Sequence, residues 1–328
     1  MKKNIIVPII VLIIIISVIL IGLNLKNKNN KEIEGSKISI VTTLFPLYDF
    51  AKEIGGDKVE VSLLLPPGVE AHSFEPKPSD IVKINESDLF IYTGKFMEPW
   101  AEDIIKGITD SNTKIVDSSV GIDLIEKGTH EEDENENNHK DEHEEEHHHH
   151  DGVDPHIWLG FNNSQIMVSN IVKILTEKDP SNADFYNANA SLYIKKLSAL
   201  DESYKNTLST CTTREIVYGG HYAFGYLAKR YNLGYVSAQG FSPDSEPTAK
   251  DMVALIDQIK KGNINYVFYE ELASPKIAET LSRETGAKLL LLNGAHNLSK
   301  EEMKNNVSFL SIMEKNLANL ETGLGCSK

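Results

Sequence analysis

A long stretch without a helix breaker divides this chain of 328 residues into two parts. From Ser181 to Ser209 there is no glycine or proline, and apolar side chains recur mostly every three to five residues, as in an amphipathic helix. At 1.5 Å per residue such a helix would be about 40 Å long, the span of a whole domain. Asp179-Pro180-Ser181 provides a start signal for it. A helix of this length restricts the fold to two halves that it joins.

On both sides of this helix, short β-rich runs alternate with amphipathic segments, a pattern that predicts parallel α/β sheets. In the first half the pattern predicts strands at 38–43, 59–65, 88–93 and 114–117, and helices at 46–54, 78–85 and 164–177. In the second half it predicts strands at 215–218, 234–237, 266–269 and 288–292, and helices at 222–231, 248–261, 275–285 and 300–320. The predicted fold is α/β, with two (β/α) lobes at 38–178 and 211–328 joined by a rigid helix at 179–210.

The N-terminal segment has the length and composition of a membrane-spanning helix. Residues 4–25 carry no charge, are rich in Ile, Val and Leu, and lie between Lys3 and Lys26. The basic residues Lys2 and Lys3 orient the rest of the chain away from the cytoplasm. We interpret residues 1–26 as an anchor at the outer face of the cell membrane and 27–37 as a flexible tether. A cleaved signal peptide is the alternative.

Charge and histidine are concentrated in one predicted loop, 127–152. The chain has a net charge of −15, and the stretch from Glu131 to Asp151 holds eleven acids and one lysine. An acidic chain of this kind does not favour nucleic acid as a partner. The composition predicts a disordered loop. Its seven histidines, placed among carboxylates, predict an auxiliary collector of Zn²⁺: they are His130, His139, His143, His147, His148, His149 and His150.

The other four of the eleven histidines all stand in predicted turns. His72 follows a strand and a Pro-Pro-Gly turn, His156 lies just beyond the charged loop, His221 follows a strand and Gly219-Gly220, and His296 follows the strand ending at Leu292. Ligands of open α/β sheets bind at the carboxyl ends of strands. Four imidazoles converging there would form a nitrogen site that suits Zn²⁺. Carboxylates are not prominent at all four turns, which disfavours Mn²⁺, Mg²⁺ and Ca²⁺.

These turns belong to longer motifs, which occur in the order Thr-Leu-Phe-Pro-Leu, Gly68-Val-Glu-Ala-His72-Ser-Phe-Glu-Pro, Asp154-Pro-His156-Ile-Trp158-Leu, Gly220-His221-Tyr-Ala-Phe-Gly, Glu246-Pro-Thr and Phe268-Tyr-Glu-Glu-Leu. Over about residues 37–320 the chain resembles the metal-binding lipoprotein family of ABC importers, the zinc/manganese solute-binding proteins of the cluster A-I type. The resemblance implies one metal ion in a cleft between two lobes, with His72, His156 and His221 as ligands. Manganese-type members typically have a carboxylate where His221 stands, and the His-rich loop resembles the insertion of zinc-specific members.

The fourth ligand is where the sequence departs from the family pattern. Members usually have an aspartate in this turn or a glutamate three residues later, and here the turn reads Asn293-Gly-Ala-His296. We predict His296 as the fourth ligand, with water and Glu70 or Glu271 nearby as the alternative. A four-histidine site is unusual for the family, so Ni²⁺ and Co²⁺ stay open beside Zn²⁺, and Mn²⁺ is disfavoured.

The resemblance implies a carrier that is not an enzyme: a monomeric, extracytoplasmic protein that captures Zn²⁺ and delivers it to an ABC permease and its ATPase. Two alternatives are a zinc hydrolase and a metal-holding adhesin of the same fold. A hydrolase normally keeps an open coordination position for water and shows a signature such as a His-Glu-x-x-His helix, and no predicted helix of this chain has one. Neutral imidazole ligands predict that affinity falls as the pH drops through about 6.5. Cys211 and Cys326 could pair in an exported protein.

Overall fold

The computed structural model describes residues 37–108, 112–126, 152–243 and 246–327. The predicted anchor, residues 27–36 of the tether and the seven histidines of the acidic loop lie outside these ranges. Within the described residues, no helix combines the length and apolar character needed to cross a bilayer.

The N-terminal half alternates strands and helices up to the linking helix. Its strands are β1 (Ile38–Thr42), β2 (Val59–Leu63), β3 (Leu89–Tyr92) and β4 (Lys114–Asp117). Its helices are α1 (Phe45–Gly55), α2 (Pro78–Asn85), α3 (Pro99–Gly107) and α4 (Phe161–Lys178). The linking helix α5 (Ala183–Leu208) has 26 residues and follows a 3-10 turn at Pro180–Asn182, which confirms the long helix that the sequence predicts.

The C-terminal half repeats the alternation. Its strands are β5 (Glu215–Tyr218), β6 (Gly234–Ser237), β7 (Tyr266–Tyr269) and β8 (Lys288–Leu291). Its helices are α6 (Gly225–Tyr231), α7 (Ala249–Lys261), α8 (Lys276–Thr285), α9 (Lys300–Lys304) and α10 (Phe309–Gly323).

The two halves form equivalent sheets, which confirms the predicted two-lobed α/β fold. The strand orders are β2-β1-β3-β4 and β6-β5-β7-β8. The pairings β1–β3, β3–β4, β5–β6, β5–β7 and β7–β8 are parallel. Central strands are apolar on both faces because helices cover both sides of such a sheet: all four residues of β3 are buried. Parallel strands end at the same edge, so each sheet collects its turns on one side.

A buried carboxylate on α1 ties together the helices that lie between the lobes. One oxygen of Asp49 accepts hydrogen bonds from the Tyr193 hydroxyl of α5 at 3.0 Å and from the Phe309 amide of α10 at 3.1 Å. Phe50 packs edge-on against both aromatic rings, with centroid distances of 5.6 and 5.2 Å. Helices from both halves therefore pack directly on the linking helix.

Three local predictions were wrong. No separate helix is predicted at Pro99–Gly107, where the structure has one, although a proline at its start is a common helix signal. The helix predicted at 300–320 is two helices, because Asn306 adopts a positive φ of 51° and Ser308 caps a new helix start. The helix predicted at 222–231 begins only at Gly225, since the amides of residues 221–223 bond to other parts of the C-terminal lobe.

Cys211 and Cys326 form a disulfide that closes the C-terminal lobe. The bond joins the residue range just after α5 to the chain beyond α10, across a sequence separation of 115 residues. Cross-linking residues this far apart restricts the unfolded chain strongly, and a native disulfide typically contributes about 2–5 kcal/mol.

We therefore expect reduction, or the Cys211→Ser/Cys326→Ser double variant, to lower the melting temperature by several degrees without changing metal affinity. Differential scanning calorimetry of the metal-free protein with and without reductant measures the first effect. An unchanged melting temperature would show that the disulfide contributes nothing to stability.

Candidate metal centre

The structure brings the four predicted histidines of the two lobes into one cluster. His72 lies in the turn after β2, His156 precedes α4, His221 follows β5 and His296 follows β8. Each offers a ring nitrogen, and these atoms all lie within 4.8 Å of one another. The Nε2 atom of His156 is 3.2 Å from that of His72 and 3.1 Å from that of His221. A tetrahedral zinc site with Zn–N bonds near 2.05 Å places its nitrogens about 3.3 Å apart, so this spacing matches one.

The cluster is enclosed on nearly every side. His156 and His221 are fully buried and His296 is 7% exposed, whereas His72 is only partly buried. The Trp158 ring meets the imidazoles of His156 and His296 edge-on, and its Nε1 donates to the carbonyl of Gly294 at 2.7 Å. Trp158 therefore forms part of the wall of the cluster.

Three of the imidazoles are backed by a carboxylate on the side away from the cluster. The Nδ1 atoms of His156 and His221 lie 2.8 Å from Asp154 and Glu270, respectively. The His296 Nδ1 lies 3.2 Å from Glu271. At His156 and His296 the contact has hydrogen-bonding geometry, so the carboxylate favours a proton on Nδ1, directs the Nε2 lone pair into the cluster and makes the ring a stronger ligand. At His221 the carboxylate lies close to Nδ1 without that geometry.

Glu70 and Glu271, the alternatives for the fourth position, are both engaged in other contacts. Glu70 accepts hydrogen bonds from the amides of His72 and Ser73 at 2.9 and 2.8 Å, so it shapes the turn that carries His72. Glu271 accepts from the Gly294 amide at 2.7 Å besides contacting His296. Asp154 orients its histidine twice, since it also accepts from the His156 amide at 3.0 Å.

Sequence reasoning missed the role of Glu270. Its Oε1 contacts the ring of His221 and its Oε2 accepts from the His221 amide at 3.1 Å. The signal was present in the Phe268-Tyr-Glu-Glu motif, because Glu270 and Glu271 directly follow β7 at the sheet edge that carries the other turns.

Burial and neighbouring charges shift the pKa values of the imidazoles in different directions. Burial, with a smaller effect of the neighbouring imidazoles, lowers the pKa of His156 well below its usual value. Burial also lowers the pKa of His221 to about 3. At His296 burial again favours the neutral ring, but the hydrogen bond and charge of Glu271 outweigh it, so the pKa of His296 is raised. Two of the rings therefore remain neutral far into the acid range, and His296 is the ring that takes up a proton first among these three.

The pKa values of the carboxyl groups behind the rings are also shifted. Burial raises the pKa of Asp154 to about 8 and that of Glu270 to about 7. Near neutral pH, a substantial fraction of these carboxyls therefore carries a proton. A divalent cation on the rings would favour the ionised carboxylates, so binding it should release protons.

Gly294 leaves the space in which the His296 ring sits. A Cβ atom at this position would lie 2.5 Å from Cε1 and 2.6 Å from Nδ1 of His296, closer than real contacts allow. We expect Gly294→Ala to displace the ring and to weaken metal binding by about tenfold, an effect comparable to loss of a residue that orients a ligand.

A competition titration against a chromophoric chelator measures this loss, with Gly107→Ala as control because a Cβ there meets nothing within 4 Å. Equal affinity of the Gly294→Ala variant and the unaltered protein would contradict the role assigned to this glycine.

Two α/β lobes joined by a long helix, with a closed nitrogen cluster between them, define a class of binding protein that holds a single cation between its lobes. Comparison with known proteins agrees. Residues 40–323 match the family described as zinc-uptake complex component A, periplasmic (ZnuA). The chain belongs to this family.

The relatives are similar over most of the chain. The high-affinity zinc uptake system protein ZnuA of Bacillus subtilis is 41% identical over 301 residues, which are 92% of each chain. The zinc-binding protein AdcA of Streptococcus pyogenes is 37% identical over 87% of this chain, which spans 55% of that longer relative. The crystal structure of the Zn(II)-bound ZnuA-like domain of Streptococcus pneumoniae AdcA is 33% identical, with a TM-score of 0.73, and the match covers 88% of this chain and 99% of that domain.

Proposed function

We propose that this chain captures Zn²⁺ outside the cytoplasm and delivers it to an ABC permease and its ATPase. The observation that carries the proposal is the cluster itself: four imidazole nitrogens within 4.8 Å of one another, three of them on rings backed by a carboxylate. Nitrogen ligands in this number suit tetrahedral Zn²⁺ and leave no open position for a catalytic water. Family membership supports the same role, and the hydrolase alternative gains no support from this arrangement.

His72, His156, His221 and His296 are the proposed ligands, each through a neutral imidazole. Asp154, Glu270 and Glu271 hold three of these rings in place and balance the charge of the ion. The acidic segment with its seven histidines would gather Zn²⁺ weakly. The N-terminal segment would keep the carrier at the outer face of the membrane, where the permease lies, and the chain would act as a monomer.

Titration calorimetry of the full-length chain in detergent tests the binding step. We expect one tight Zn²⁺ site and much weaker binding of Mn²⁺. A variant in which the seven loop histidines are replaced by alanine should keep the tight site and lose weak additional binding. If tight binding disappears with the loop histidines, the cluster is not the principal site.

Uptake measurements test the delivery step. Cells that lack their own copy of the carrier should regain growth in zinc-depleted medium when they produce this chain. A variant with His156→Ala and His221→Ala should not restore growth although it is produced and exported. Restoration by that variant would show that delivery does not depend on the cluster.

A further inference from the structure

The segment 293–298, which carries His296, is bonded to both lobes. Its first part belongs to the C-terminal lobe: the Asn293 amide donates to the Asn316 side chain at 2.9 Å, and the Gly294 amide donates to Glu271. Its second part is held by the N-terminal lobe. The carbonyl of His296 accepts from the Phe45 amide of α1 at 3.2 Å.

Asn297 makes the most specific of these contacts between the lobes. Its side-chain nitrogen donates to the carbonyls of Pro66 at 2.7 Å and Val69 at 2.9 Å, both in the turn that leads to His72. The carbonyl of Leu298 accepts from the Gly68 amide at 2.8 Å and closes the same junction. Asn297 is 1% exposed, so its two bonds form away from water, where an unpaired carbonyl is costly.

These contacts give Asn297 a place between two proposed ligands. It directly follows His296 and binds the turn that ends at His72, so one side chain links the backbone of both. A planar amide that donates to two carbonyls fixes the distance and the angle between the segments that bear these rings. The ring centroids of His72 and His296 lie 5.6 Å apart.

We propose that Asn297 is a positioning residue for metal binding, which sets His296 against His72 across the junction of the lobes. This inference rests on the proposed function, because it assumes that both rings contact the ion. On this view, His296 belongs to the C-terminal lobe but its position is fixed by bonds to the N-terminal lobe. The backbone amides of residues 221–223, by contrast, donate to groups of their own lobe, namely Glu270, Gly240 and Tyr235.

A double-mutant cycle on the full-length chain tests this role. Asn297→Leu keeps a side chain of similar volume and removes both donors. We expect it to weaken Zn²⁺ binding about tenfold to a hundredfold, as loss of groups that orient ligands does. In a His296→Ala background the same change should cost little more, whereas in a His221→Ala background it should cost its full amount. This selectivity separates positioning of His296 from general loosening of the protein.

Asn319→Leu is the matched control, because Asn319 also donates to a backbone carbonyl, that of Leu291 at 2.8 Å, but within one lobe. It should leave the affinity unchanged. The visible spectrum of bound Co²⁺ gives a second readout, since loss of tetrahedral geometry in Asn297→Leu lowers its intensity. Should Asn297→Leu fail to fold, Asn297→Ser, whose shorter side chain cannot reach both carbonyls, should reproduce the same pattern.

The outcomes are distinct. Wild-type affinity in the Asn297 variants, or an equal loss in all three backgrounds, would overturn the positioning role while leaving the carrier intact. Absence of tight Zn²⁺ binding by the unaltered protein would overturn the proposed function, and this inference with it.

Discussion

Replacing His156 by alanine should weaken Zn²⁺ binding by about a hundredfold or more. Structural zinc sites with four ligands have apparent binding free energies of about 10–16 kcal/mol, so one ligand accounts for roughly a quarter of this. His156 is the central ring of the cluster: its Nε2 lies within 3.2 Å of the nitrogens of both His72 and His221. Its loss also leaves the buried Asp154 without its ring partner.

Competition against chelators of graded affinity measures this loss across the expected range. His139→Ala is the control, because this histidine belongs to the acidic loop and should contribute only weak binding. The melting temperature of metal-free His156→Ala should be recorded as well, to show that the variant is folded. If a folded variant binds Zn²⁺ as the unaltered chain does, the ion is held outside the cluster.

Acid should release the ion, and the release should begin above the pH at which a free histidine titrates. Metal and proton compete for the same imidazole, so a ring with a raised pKa starts to bind protons at higher pH. His296 is such a ring because of Glu271, whereas burial lowers the pKa values of His156 and His221. We expect affinity to fall by at least about tenfold for each pH unit below the pKa of His296, because the proton of that ring must leave for each ion bound, in addition to any proton released by Asp154 and Glu270.

Zn²⁺ affinity measured between pH 5 and pH 8 checks this dependence. Glu271→Gln removes the charge that raises the pKa of His296. The Zn²⁺ affinity of this variant should be lower than that of the unaltered protein at pH 8, but it should begin to fall only at a lower pH. A variant that follows the same pH profile as the unaltered protein would contradict the assignment of this proton to His296.

Most of the fold could be predicted from the sequence, because parallel strands and long helices have strong local patterns. The linking helix and the apolar strands β3 and β7 need no information from distant residues. The end of α9 escaped prediction although it depends on local features, the positive φ of Asn306 and the cap at Ser308. The late start of α6 escaped prediction because tertiary bonds decide it. At α6, Glu270, Gly240 and Tyr235 bind the amides of residues 221–223, and none of these partners is close in sequence.

The candidate site could be predicted from the sequence for a different reason. A histidine in a turn after a strand is identifiable from sequence, and four of them in two lobes suggest convergence. Which carboxylate backs which ring could not be read, since Glu270 and Glu271 are adjacent in sequence yet serve His221 and His296, which are 75 residues apart. Adjacent residues on an irregular turn can point to different partners, and only the folded turn after β7 decides between them.

The uneven burial of the four rings affects how a bound ion can be transferred to another protein. Three rings are enclosed, and His72 alone is partly open to the outside. If the ion is held by these rings, a receiving group would reach it most readily from the His72 side, while the enclosed rings are still bound to it. Transfer by this route would be an associative exchange in which the incoming ligand replaces His72 first. An ion handed over in this order would never pass through water as a free cation.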